Sequence, residues 1–404
     1  MRQPQEEPQL RRVLSLPWLV FYGVGVTIGA GIFALIAEIV AIAGDHAPLA
    51  FLIAGVVAAF TGLSYAVLAN AYPRAAGEAI FVRHGLGDLA GRIVGYGVVA
   101  VAITSSAVIG LAFARYVQSF TGLPEPLSLV AVLIVLGAVA AAGVRESVGF
   151  AALITVLEAG TLLVVIAAGL PVVMDSPRLG DVLSLPVTWA PWKAVFAGAF
   201  VAFFAFIGFE DIENMAEETR DAARAVPLAI MLTLAISVAI YALVALVAAA
   251  YPDRDGLTAS KAPLADLFAA VTGTSGTPIA VMASIAMVNG ILVQVVMASR
   301  VIYGMAREGM MPGRLGRLHA VRQTPVRAIL LVIAATALLG LFVPLLQLAE
   351  LTSLVMLIVF ATVNLSLFLI GRRAGATPRL IRWRYWGLLG AAVSLALIAS
   401  EIAG

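Results

Sequence analysis

Hydrophobic residues in this chain neither alternate nor recur on one helical face; they run on in blocks, with the polar residues gathered between them. The blocks occupy residues 18–42, 48–71, 91–117, 126–143, 148–173, 193–214, 228–250, 278–303, 326–344, 347–371 and 384–402, which predicts eleven transmembrane helices. Hydrocarbon offers the backbone no hydrogen-bond partners, and runs of this length satisfy their N–H and C=O groups as helices. The expected fold class is an all-α polytopic membrane protein. The two longest outer connections, 174–192 and 251–277, are rich in Pro, Gly, Asp and Ser, as surface turns or short interfacial helices are.

Two blocks are interrupted. The first carries Gly23, Gly25, Gly29 and Gly31 within nine residues, and each glycine costs about 1 kcal/mol of helix propensity against alanine. Gly23 and Gly25 suit close approach of another helix, whereas Ile28-Gly-Ala-Gly-Ile-Phe33 reads as an unwound break. The sixth block breaks in the same way at Phe203-Phe-Ala-Phe-Ile-Gly-Phe-Glu210. Unwound backbone at membrane depth is tolerated where it lines a cavity. The two breaks lie five helices apart, an odd number, so the two halves insert in opposite orientation as an inverted repeat with a midplane site. The expected organisation is a cytosolic tail (1–17), a first repeat (18–175), a second (176–372) and an additional C-terminal helix (373–404).

Composition fits the pattern: 62% of the 404 residues are hydrophobic and 12% charged, with a mean hydropathy of +1.04, outside the range of soluble domains. The net charge of +2 says little, but with the N-terminus inside, 20 of the 25 lysines and arginines fall on the cytosolic side. That bias sets the orientation in a cell membrane and leaves Gly404 outside. Cysteine is absent, excluding disulfides, thiolate metal sites and cysteine nucleophiles. No phosphate-cradling loop or H-E-x-x-H occurs, and His46, His84 and His319 are all expected in loops, so no metal, cofactor, ATP or nucleic acid is indicated.

A broken helix presents bare N–H groups on one side and bare carbonyls on the other, a match for a zwitterion. A ligand carboxylate would meet the amides of Ala30, Gly31 and Ile32; a ligand ammonium would meet carbonyls near Thr27, Phe204 and Ile207. Phe204 and Phe206 are candidate lids, and Glu210, with Asp211 and Glu213, a candidate inner gate. The most informative charge is Glu158, about eleven residues beyond Glu146-Ser147 and so about 16 Å into a core about 30 Å thick. A carboxyl at that depth can take up and release a proton as access alternates, or help to hold a monovalent cation. Asn289 is its expected polar neighbour, and Gln294 a pocket candidate. Glu38, Arg115 and Glu350 sit near outer ends, where snorkelling accounts for them.

Three motifs together resemble the amino acid–polyamine–organocation transporters, over nearly the whole chain: Ile28-Gly-Ala-Gly-Ile-Phe33, Phe203-Phe-Ala-Phe-Ile-Gly-Phe-Glu210 with Glu217, Glu218 and Pro227, and Ser299-Arg-Val-Ile-Tyr-Gly-Met-Ala-Arg-Glu-Gly309. Tyr72-Pro-Arg-Ala-Ala-Gly-Glu78 looks like that family's loop after the second span. The resemblance implies a five-plus-five inverted repeat of the LeuT type, alternating access, and recognition of an amino-acid backbone at the two breaks. In proton-coupled or sodium-independent relatives a lysine often stands where this chain has Glu158. Many relatives have twelve spans rather than eleven, which leaves the oligomeric state open. The resulting expectation is a secondary transporter of neutral or apolar amino acids, proton-coupled through Glu158. The alternatives are sodium coupling or exchange, cationic amino acids or polyamines, and, from other classes, an amino-acid sensor or channel; an enzyme is not expected.

Overall fold

The computed structural model describes residues 14–72, 77–143 and 148–403. Positions 1–13, 73–76 of the loop after the second block, 144–147 and 404 lie outside the described residues. Sixteen helices follow in order: α1 (Leu16–Ile28), α2 (Gly31–Ala43), α3 (Ala47–Ala71), α4 (Gly77–Leu86), α5 (Asp88–Thr121), α6 (Glu125–Ala142), α7 (Val148–Met174) and α8 (Leu179–Leu183). Then come α9 (Trp189–Ala202), α10 (Ala222–Ala250), α11 (Arg254–Ala259), α12 (Pro263–Thr272), α13 (Thr277–Arg307), α14 (Val326–Phe342), α15 (Leu345–Gly371) and α16 (Pro378–Ile402). No strand occurs among the described residues, only an isolated parallel bridge between Leu14 and Thr219.

Nine segments of the described chain are long and apolar enough to cross a bilayer, accompanied by shorter apolar helices at Leu16–Ile28, Pro263–Thr272 and Val326–Phe342. The first of the nine, Gly31–Ala71, contains the turn Gly44–His46, which separates α2 from α3. Each of the eleven expected blocks thus has its helix. Several run further than their apolar core: α10 starts at Ala222, α13 continues to Arg307 and α16 begins at Pro378. Arginines at these ends carry long stems that let the helix project past the hydrocarbon. Prolines open α1, α3, α6, α12, α13 and α16, where a missing N–H costs nothing.

Burial sorts the helices into centre and rim. The broken stretch Trp189–Glu213 is 83% buried, whereas Glu125–Ala142 and Pro378–Ile402 are 28% buried, so the sixth block is central and α6 and α16 face outward. Around the centre, α13 packs on α5, α10 on α3 and α15 on α16. A buried amide ties two of these layers: Asn364 on α15 donates to Thr61 Oγ1 (2.9 Å) and accepts from Ser64 Oγ (2.6 Å) on α3. Glu401 at the C-terminal end of α16 neighbours Glu350 of α15, which in turn neighbours Glu38 of α2.

Two local expectations need correction. His84 is helical rather than in a loop, because α4 forms a short helix after the second block, and its ring packs on Tyr72 with centroids 4.4 Å apart. Glu38 and Arg115 do not simply snorkel; they form an ion pair at 3.6 Å. With Lys261, which bonds Glu125 at 2.7 Å, they line a cavity of about 280 Å³ against α11 and the start of α12.

Candidate functional site

Both predicted breaks are present. α1 stops at Ile28, Gly29 bonds back to the Gly25 carbonyl at 3.3 Å, and α2 restarts at Gly31 with Ala30 as an N-cap that offers no side-chain acceptor. The amides opening α2 therefore lie outside its own hydrogen-bond ladder, at the positive end of its dipole. In the sixth block α9 ends at Ala202, a 3₁₀ turn covers Phe203–Phe206, Ile207 is extended, and Gly208 takes φ 123° before a second 3₁₀ stretch, Phe209–Glu218.

The breaks touch each other, and glycine makes that possible. A Cβ on Gly31 would lie 2.7 Å from Ala205 Cα, and one on Gly208 would lie 2.9 Å from the Val26 carbonyl. Gly23 serves helix packing instead, facing Ile212 and Thr233, while Gly25 packs on Thr155 and also lines the cavity between the breaks.

Between the breaks lies a cavity of about 40 Å³. Thr27, Ala30 and Gly31 line it from the first block, and Phe204 and Ile207 from the sixth. α5 adds Ser105 and Ile109; α13 adds Asn289, Gly290, Val293 and Gln294. Among the described residues no charged side chain lines it. Thr27 Oγ1 and Gln294 Oε1 are buried without a hydrogen-bond partner, and buried polar atoms of that kind call for an explanation such as a ligand. The sequence pattern did not single out Ser105, Ile109, Gly290 or Val293, because small and apolar residues in a membrane helix look alike whether they face lipid or a ligand.

Glu158 on α7 is 2% exposed. Neither carboxyl oxygen makes a well-formed hydrogen bond; its polar neighbours are Asn289, which also faces the cavity, and Tyr241 of α10. The Tyr241 hydroxyl reaches the Thr27 carbonyl at 2.6 Å and the Ala205 carbonyl at 2.9 Å. One buried hydroxyl thus fastens both breaks next to the carboxyl. Tyr241→Phe removes the single O–H donor that the two buried carbonyls share, a loss of about 1–3 kcal/mol. The expected outcome is a lower unfolding temperature of the purified protein with unchanged helix content, read by circular dichroism.

Several sequence-predicted residues face elsewhere. Phe206 is fully buried and packs edge-on against Tyr241 at 5.2 Å, away from the cavity. The 3₁₀ winding explains it: at about 120° per residue, Phe204 and Phe206 point in different directions. Ile32 likewise buries its side chain in the core, leaving its amide as the group near the break. The carbonyl of Thr27 is engaged by Tyr241, and that of Phe204 accepts from the Ile207 amide at 3.2 Å. Glu210 turns back on its own loop, accepting from the Gly208 amide at 2.9 Å. Asp211 and Glu213 are buried beside it and line neither cavity. Glu78 on α4 joins this group and accepts from the Tyr65 hydroxyl at 3.2 Å. Burial raises the Glu78 carboxyl above its ordinary pKa, and bonds to backbone and to Tyr65 partly offset that rise.

The sequence profile of the amino acid permease family matches residues 13–402. The chain belongs to that family. Its members are transporters, so this amino acid permease is a multi-pass membrane protein and not an enzyme. An uncharacterized transporter of Mycobacterium tuberculosis is 33% identical over 405 residues, covering 99% of this chain and 90% of that protein. A branched-chain amino acid permease of Bacillus subtilis is 26% identical, covering 92% of this chain and 84% of its own length. A vacuolar cationic amino acid transporter of Arabidopsis thaliana is 27% identical, covering 90% of this permease but 60% of the plant protein.

Proposed function

We propose that this permease is a proton-coupled secondary transporter of neutral or apolar amino acids, working by alternating access in the cell membrane with its N-terminus in the cytosol. In this reading residues 18–175 and 176–372 are the two halves of a LeuT-type inverted repeat, 1–17 a cytosolic tail and 373–404 an added helix. The substrate carboxylate binds the amides of Ala30, Gly31 and Ile32. Its ammonium takes the free lone pairs of carbonyls around Thr27, Phe204 and Ile207, and Phe204 closes over it. Phe206 and Glu210 support this movement from behind, Phe206 through Tyr241 and Glu210 through the Gly208 turn.

The observation that carries the proposal is Asn289, which stands beside Glu158 on one side and in the cavity wall on the other. A protonated carboxyl donates to the amide oxygen, while a carboxylate accepts from the amide nitrogen. Loading a proton on Glu158 therefore reverses what Asn289 offers to the substrate, and this links the two occupancies. The uncharged lining favours a neutral side chain, and the acidic residues that could receive a cationic one, Glu210 and Asp211, lie outside the cavity.

The test is uptake of labelled amino acids into proteoliposomes under an imposed proton or sodium gradient, with counterflow as the check on carrier activity. Concentrative uptake on the proton gradient alone supports the reading; dependence on sodium would replace the proton with a cation held near Glu158. Side-chain size gives a second check. A Cβ on Gly290 would stand 3.6 Å from Ala30 Cβ and 3.5 Å from Ile109, so Gly290→Ala fits but narrows the cavity. Gly290→Ala is expected to raise KM for a branched substrate such as leucine about tenfold, with a smaller change for glycine or alanine, read from competition uptake.

A further inference from the structure

The junction of α15 and α16 holds Arg372, Arg373, Arg379, Arg382 and Arg384 in 13 residues, with no aspartate or glutamate among them. Among the described residues none of the five forms an ion pair with a carboxylate. Two have structural tasks: Arg373 donates to the Gly85 carbonyl at 3.0 Å and Arg379 to that of Ala223 at 3.3 Å. The other three lie over aromatic rings: Arg372 over Phe368 (5.4 Å), Arg382 over Trp383 (5.9 Å) and Arg384 over Tyr385 (4.7 Å).

Two of the rings form a platform. Phe368 and Tyr385 pack together with centroids 6.1 Å apart, so Arg372 and Arg384 flank one aromatic surface. Stacking on a ring holds a guanidinium by its face and leaves its N–H edge for an anion. Arg384 also donates from one terminal nitrogen to the Tyr385 hydroxyl at 3.2 Å, while its Nε is buried without an acceptor. Below the platform α16 turns Ile381, Tyr385, Leu388 and Leu389 outward, at spacings that share one helical face. An anion-seeking cluster therefore stands at the head of a greasy stripe on a rim helix. A general excess of positive charge on this side orients insertion, but it explains neither the stacked guanidiniums without a carboxylate partner nor the stripe in register with them.

We propose that this junction binds an anionic phospholipid, its phosphate held by Arg372, Arg382 and Arg384 and an acyl chain lying along Ile381, Tyr385 and Leu389. Charge sign and apolar continuation together select a lipid over a free anion. The proposal is independent of substrate and coupling, so its failure would leave the transport reading untouched.

The test is native mass spectrometry of the full-length protein in detergent, titrated separately with dioleoylphosphatidylglycerol and dioleoylphosphatidylcholine. The expected result is at least tenfold tighter binding of the glycerol lipid. Replacing Arg372→Gln, Arg382→Gln and Arg384→Gln together weakens it roughly a hundredfold, at roughly fivefold per arginine. Lysine at the same three positions keeps the charge and most of the preference, while Arg317→Gln with Arg322→Gln leaves it unchanged. If the triple glutamine variant does not purify as a single species, Arg382→Gln alone must show the fivefold loss. Equal binding of the two lipids, full retention of the preference in the glutamine variants, or inorganic phosphate binding as tightly as the lipid would each overturn the assignment.

Discussion

Glu158→Gln is expected to abolish concentrative, proton-driven uptake, by a hundredfold or more, while leaving exchange of labelled for unlabelled amino acid within about threefold of wild type. Glutamine has nearly the shape of a protonated glutamate and keeps a donor and an acceptor beside Asn289, so the cavity and both breaks should survive. What it cannot do is gain or lose a proton. Exchange needs only the loaded carrier to return; net transport needs the empty, deprotonated one to return as well. Asn289→Ala should lower both activities, because it removes a cavity-lining group as well as the neighbour of Glu158. If Glu158→Gln transported normally under an imposed gradient, Glu158 would be a structural residue. If it lost exchange as completely as uptake with the protein still folded, the carboxyl would be needed for binding rather than for coupling.

Gly31→Ala is expected to cost transport at least tenfold in kcat/KM, although it adds only a methyl group. The added Cβ would meet the backbone of Ala205 at 2.7 Å, an approach that no rotamer change can relieve. The two breaks must separate or α2 must shift, and either movement displaces the amides proposed to hold the substrate carboxylate. A misplacement of about 1 Å in such a constellation can cost about a hundredfold. Gly160→Ala is the matched control: it also lies in a membrane helix, has open space around its Cβ position, and should gain up to about 1 kcal/mol of helix stability. Equal activity of the two variants in proteoliposomes would remove the close approach of the breaks from the account.

The parts of the fold legible in the sequence are those where membrane physics leaves few options. Blocks of apolar residues long enough to cross a bilayer had to be helices, and Gly29, Gly31 and Gly208 stood out because glycine is costly inside one. Glu158 was conspicuous for the same kind of reason, as a charge at mid-depth. The helix α4 was not legible, since Gly77–Leu86 is too short and too polar to register beside its neighbours. Tyr241 escaped attention because a tyrosine in a membrane helix is commonly an interfacial anchor; only the chain's path brings its hydroxyl to both Thr27 and Ala205. Phe206 was assigned as a lid from its position in a motif, yet the local winding turns its side chain toward Tyr241. Sequence spacing located the breaks, but the direction of each side chain in the second depended on 3₁₀ geometry that spacing does not encode.

The central claim joins substrate entry to proton movement through one carboxyl. It is tested most directly by reconstituting the wild-type protein in liposomes that trap a pH-sensitive dye, adding alanine or leucine outside with no other gradient, and recording luminal pH. The account predicts acidification of the lumen that begins with substrate addition, persists without sodium and is absent in Glu158→Gln. Amino-acid uptake without any change in luminal pH would contradict it.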